Sequence, residues 1–391
     1  MAMLKTQTFL LTLLFFLVFH MASGQDRPFI FTWEIEEPHG ELRINVWEVK
    51  YTVDYWVDFG DGSERERRTG DVYHQYAEPG IYTVKIWGSF PGMNFQASPY
   101  AKHMHSLISW GDIVWGTMLG AFTGCYNLTY AVADPLHDVP NLDSVNTLFR
   151  MFEGASKIDG DFSAWDVSNV ITMSRLFKGA TSFTGDLSAW DVSWVKYMDS
   201  MFEEAYLFDG DVSAWDVSRV VTMEKMFYKA EAFQGDVSRW DVRNVRDFSG
   251  MFAGALQFSS DVSEWSVDSG KTFTAMFAVC PKFNADVSGW DVRKAEELSA
   301  MFYQATSFDQ NLGAWQFPKA TSLARFLSDT HLSIANYDAT LKGWSNHPLD
   351  QLPKGVEIGV QGLQFSTEGS NHRSSLMNRL SWRFDGDSLD W

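Results

Sequence analysis

The sequence predicts an α/β solenoid, with a short strand and a short helix in every coil, preceded by a small all-β domain and closed by a C-terminal cap. Three observations carry that expectation. Tryptophan recurs every 25 residues through seven copies, at Trp165, Trp190, Trp215, Trp240, Trp265, Trp290 and Trp315. The segment before this array alternates apolar and polar residues around an Asp-Gly turn, and the segment after it drops the tryptophan step.

Residues 1–24 read as a secretory signal: Lys5, an apolar run from Phe9 to Phe19, then the small residues Ala22, Ser23 and Gly24 ahead of Gln25. The run is shorter than the roughly 20 apolar residues of a spanning helix, and no later stretch reaches that length. A secreted chain with no transmembrane segment after cleavage is expected, with cell-surface association as the variant. Residues 25–100 contain YTVDYWVDFGDGS and HQYAEPGIYTVKIWG, alternating strand patterns beside turn residues, which suit a small β-sandwich.

Residues 101–330 form the array. Phe152, Phe177, Phe202, Phe227, Phe252, Phe277 and Phe302 make one column, and Phe183, Phe208, Phe233, Phe258, Phe283 and Phe308 another that Ile158 begins. Asp161, Asp186, Asp211, Asp236, Asp261 and Asp286 make a polar column, and Asp166, Asp191, Asp216, Asp241 and Asp291 a second. A fixed period between about 20 and 29 residues marks a leucine-rich-repeat-like solenoid; a propeller of the WD type needs about 40 to 45 per blade. Within a unit, DLSAW and DVSWV suit brief strands, and Met198, Met201, Phe202 and Ala205 fall at helical spacings of three and four. GAFTGCYNL, Gly120 to Leu128, is an irregular first coil, FPKATSLARFLSDT keeps Leu323 in the Met column, and residues 331–391 cap the array.

The formal charge of −19 argues against nucleic acid and against an anionic membrane, both of which are bound by excess Lys and Arg. All nine histidines lie outside residues 138–330, so the array has no imidazole for acid–base work or zinc, and the His103/His105 pair lacks a third ligand. No nucleophile elbow, phosphate loop or dinucleotide fingerprint is present, so no catalytic residue is assigned and no cofactor is expected. The aspartate columns suit turn capping, with calcium as the weaker alternative. The tryptophan column suits a core ladder better than an exposed sugar-stacking ladder, because soluble chains rarely expose such a stripe. Cys125 and Cys280 read as small core residues and Asn127, in NLT, as a glycosylation acceptor.

If the columns are scaffold, specificity belongs to the positions that change from unit to unit. Asn169 is matched by Trp194, Arg219 and Asn244; Thr172 by Tyr197; Glu153 by Tyr228. Trp194, Tyr197, Arg219 and Tyr228 are therefore the candidate binding residues, being of the types enriched in interface hot spots.

The W-D-V-S-N-V-x-x-M-x-x-M-F sentence resembles the repeats of BspA-like leucine-rich-repeat surface proteins, over about residues 105–330. VDFGDGS (Val57 to Ser63) and HQYAEPGIYTVKI (His74 to Ile86) are similar to a PKD-type, immunoglobulin-like domain. The resemblance implies a non-enzymatic binding or adhesion protein, secreted or on the cell surface, whose partner is an extracellular protein or glycan. The competing expectation is a structural, self-associating matrix-type protein.

Overall fold

In the computed structural model, which describes residues 27–47 and 52–390, no repeat unit contains a helix. The expected signal, residues 1–24, lies outside the described residues. The α/β solenoid, with a strand and a helix per coil, does not form: the described chain is built of several small sheets and only two short α-helices, both C-terminal to the repeats. Each 25-residue unit is a succession of tight turns, joined to its neighbours by single parallel bridges at Thr147, Thr172, Tyr197, Thr222, Asp247, Thr272, Glu297 and Ser322.

Backbone conformation explains why helical spacing failed to give a helix. Two positions in every unit are left-handed: Arg150, Arg175, Ser200, Lys225, Gly250, Ala275, Ala300 and Arg325 form one series, and Gly154, Gly179, Glu204, Lys229, Gly254, Val279, Gln304 and Asp329 the other. Such a residue ends a right-handed helix. Between them the N–H groups alternate in target. Leu176 donates to Met173 (3.1 Å) and Ala180 to Phe177 (3.0 Å) within the unit, whereas Arg175 and Phe177 donate to Asp199 and Met201 of the next (both 2.9 Å). Spacings of three and four are thus the spacings of consecutive tight turns.

Val279 has φ of +55° and is 40% exposed, the one β-branched residue in either series. Left-handed backbone costs a residue with a Cβ about 1–2 kcal/mol, more when branched. Val279→Gly, which restores the residue at Gly254, is expected to stabilise the chain by about 1 kcal/mol in equilibrium urea denaturation.

The N-terminal part is two sheets. Strands β1 (Phe29–Ile35), β3 (Asp54–Asp58), β4 (Glu66–Arg68), β6 (Gly80–Ser89), β8 (Met104–Ser109) and β9 (Thr129–Tyr130) pair in the order β4-β3-β6-β1-β8-β9; β2 (Glu41–Val46), β5 (Val72–Gln75) and β7 (Met93–Asn94) pair as β5-β2-β7. Alternation in β1 buries Phe29, Phe31, Trp33 and Ile35. Pairing of β8 with β1 on one side and with β9 on the other runs across the boundary expected near residue 100, so the sheet continues into the first units.

The turn after β3 is tied to His74, whose ring stacks on Phe59 at 3.9 Å and hydrogen-bonds the Asp61 carboxylate at 2.7 Å. Gly60, at φ +76°, is required there, because a Cβ would stand 2.4 Å from the Thr83 carbonyl oxygen. Burial opposes ionisation of Asp61, but hydrogen bonds from Ser63 and His74 outweigh it and pull the carboxyl from 3.8 down to about 2. The folded value lies below the unfolded one, so the stability from this carboxylate is complete above about pH 4 and is lost as pH falls towards 2. Asp61→Asn is expected to lower the urea midpoint at pH 7 and to flatten its fall between pH 4 and 2.

The cap comprises α1 (Ile334–Asn346), β10 (Glu357–Gly359), β11 (Gln364–Phe365), α2 (Thr367–Leu380), β12 (Arg383–Asp385) and β13 (Ser388–Leu389). Ser333 and Ser366 cap the two helices through their side-chain oxygens. Leu323 bridges to Ile358, passing the ladder of the repeats to β10, which pairs in parallel with β12. Arg373 and Tyr337 both reach the fully buried Asp387 carboxylate, at 2.9 and 2.7 Å.

Candidate binding surface

The columns are interior. The seven tryptophans are between 1% and 4% exposed, and their rings stack along the array, as Trp215, Trp240 and Trp265 do at 6.4 and 6.5 Å with 4° between planes. From Trp190 to Trp315 each indole N–H donates to the carbonyl of the residue three before the previous tryptophan, for example Trp240 to Val212 at 3.0 Å. Trp165 begins the column against Trp110, edge to face at 5.2 Å. The sequence reading ended the column at Trp315. Trp344 of α1 continues it, fully buried and donating to Leu312 at 2.9 Å, and it was hidden because its step is not 25.

Both aspartate columns are turn formers. Asp161, Asp186, Asp211, Asp236, Asp261 and Asp286 each accept the N–H of the serine two residues on, at 2.8 to 2.9 Å. Asp166, Asp191 and Asp216 do the same at 3.0 Å, and Asp241 and Asp291 bind Arg243 and Arg293. Hydrogen bonds from the Ser193 side chain and N–H hold the Asp191 carboxyl below the ordinary carboxylate range. No group of three or more His, Cys, Asp or Glu among the described residues is placed to hold a metal ion.

The remaining single residues have structural partners. Cys125 and Cys280 are fully buried, and burial pushes the Cys280 thiol up to about 12. His103 lies against Trp33 at 5.8 Å, and burial lowers its affinity for a proton; His105 contacts Ser106. The Asn127 amide that would carry a glycan donates to the Lys102 carbonyl at 3.0 Å and accepts from Lys157 at 2.8 Å.

Of the four candidate binding residues, the structure brings two into contact and leaves a third exposed. Val192 and Val195 are buried and close a tight turn, Val195 N–H to Val192 carbonyl at 2.9 Å, which throws Trp194 outward to 53% exposure. On the next unit Arg219 lies over the Trp194 ring at 3.9 Å, a cation–π contact. Tyr197 is 43% exposed, its backbone held by bridges to Thr172 and Thr222. Tyr228 belongs to a different column and faces Lys229 at 5.2 Å.

Sequence comparison alone missed the neighbours of this pair. Lys196, Arg219 and Arg246 stand on three consecutive units, and among the described residues none has a carboxylate within ion-pair distance. Other cations of the repeats are paired, such as Lys178 with Glu203, Lys229 with Glu204 (both 2.9 Å) and Lys271 with Glu296 (3.0 Å). Their common signal was position: Lys196 and Arg246 both fall two residues after the Asn169 column.

A family model described as "Mycoplasma protein of unknown function, DUF285", a BspA-like repeat-containing family, matches residues 117–240 and 223–340. No curated protein and no solved structure matches the chain.

Proposed function

The chain belongs to the DUF285 family of BspA-like repeat proteins, and from that premise we propose that it is a secreted or cell-surface binding protein without catalytic activity. In this reading the buried columns are scaffold, and the turn positions that vary between units recognise an extracellular protein or glycan. The N-terminal sheets serve as a PKD-like module that carries the array outward.

One observation carries the proposal: an indole exposed on a turn whose counterparts are Asn169 and Asn244, with Arg219 of the next unit over its ring and the exposed Tyr197 three residues on in the chain. An exposed indole has an unfavourable hydration cost that a partner would relieve, and Trp, Tyr and Arg are the residues that dominate such contacts. The test is an array of extracellular proteins and glycans probed with the full chain and with Trp194→Ala. Loss of at least about 30-fold in affinity is expected for the variant, the effect of removing a hot-spot residue. Equal binding by the two proteins places recognition elsewhere, and no ligand for either removes the reading.

A further inference from the structure

A second exposed aromatic surface lies on the outer face of the N-terminal sheet, independent of the repeat surface. Strand β3 turns Tyr55 and Val57 into the core and Trp56 outward, where it is 46% exposed. Trp56 pairs directly with Trp87 of β6, and directly opposed residues share one face of the sheet. The Arg65 guanidinium sits between the two indoles, 5.9 Å from one ring and 5.5 Å from the other. Arg67 is held by Asp54 and Arg68 by Glu66, whereas Arg65 has no carboxylate in reach among the described residues.

The same face continues as Lys85, also without an ion pair, and then as hydroxyls strand by strand: Thr83 opposite Thr32, Thr32 opposite Ser106, Ser106 opposite Thr129. The Thr32 hydroxyl is buried, and Ser106 and Thr129 bond each other at 3.0 Å, so the open part of the face is the end that carries Trp56, Trp87, Arg65 and Lys85. The carboxylates on this face are Asp54, committed to Arg67, Asp58, which accepts the Gly60 N–H, and Glu34 on β1.

We propose that this face binds an acidic polysaccharide, with sugar rings on Trp56 and Trp87 and carboxylates against Arg65 and Lys85. Indole faces receive the C–H faces of a pyranose ring, and the guanidinium between them donates to its oxygens. The two unpaired cations on a chain of charge −19 select the acidic ligand by local complementarity, so binding weakens as salt screens it.

The test is native electrophoresis of the full chain through gels containing polygalacturonate, amylose or polyglutamate. Polygalacturonate is expected to retard the chain, and Trp56→Ala and Arg65→Gln each to weaken retardation about tenfold, one hot-spot contact apiece. Leu136→Ala, an exposed substitution off both surfaces, should migrate as the parent. Retardation by amylose as strong as by polygalacturonate overturns the acidic assignment, and equal retardation by polyglutamate overturns the saccharide. No retardation, or retardation that neither Trp56→Ala nor Arg65→Gln changes, overturns the site. Arg65 is wholly on the surface, so its variant reports on binding even if the Trp56 variant folds poorly.

Discussion

Replacing Trp240 by Ala is expected to cost about 3–5 kcal/mol of stability, read as a lowered midpoint in urea denaturation. The indole is 4% exposed and lies between Trp215 and Trp265, so truncation opens a cavity in the middle of the ladder. It also removes the indole N–H bond to the Val212 carbonyl at 3.0 Å, although that carbonyl keeps the Trp215 N–H at 3.2 Å, so the lost hydrogen bond adds only about 1 kcal/mol. Trp240→Phe keeps much of the ring but, like Ala, not the donor, so the difference between the two variants isolates the packing of the ring from the loss of the hydrogen bond. A midpoint for Trp240→Ala within error of the parent would mean that the column does not support the stack.

Deleting residues 212–236, a whole 25-residue unit, is expected to disturb the protein less than deleting Thr222 alone. Removal of one unit joins Asp211 to Val237 and leaves every column in step, so only one set of neighbour contacts is lost. Loss of Thr222 removes the bridges it makes to Tyr197 on one side and to Asp247 on the other and draws the buried Val220 and Met223 out of register, a cost of about 3 kcal/mol or more. Thermal unfolding followed by circular dichroism distinguishes the two. A lower midpoint for the longer deletion would show that the units are not equivalent.

The period, the columns and the outward position of Trp194 were legible because 25-residue repetition is written in identity, and identity survives any conformation. Secondary structure within the unit was not. Met198, Met201, Phe202 and Ala205 share one buried side whether the chain between them is helix or consecutive turns, and the deciding residues, Ser200 and Glu204, carry no glycine to announce their left-handed backbone. The contact between Trp194 and Arg219 joins positions 25 apart, invisible until the units stack. Trp56 was readable from the alternation in DYWVD, yet its value depended on Trp87 arriving opposite it, which only strand pairing supplies.

The left-handed positions also bear on how the chain acquires its structure. Without helix or extended strand, a unit has only its own tight turns to order it; the bonds that hold those turns in place, such as Phe177 to Met201, span 24 residues. An isolated unit therefore has no local structure to nucleate on, and ordering must spread from a neighbour already in place. The array folds in the manner of a zipper. A lesion in one unit halts the propagation there, leaving an ordered stretch on one side and a bare apolar face at the break.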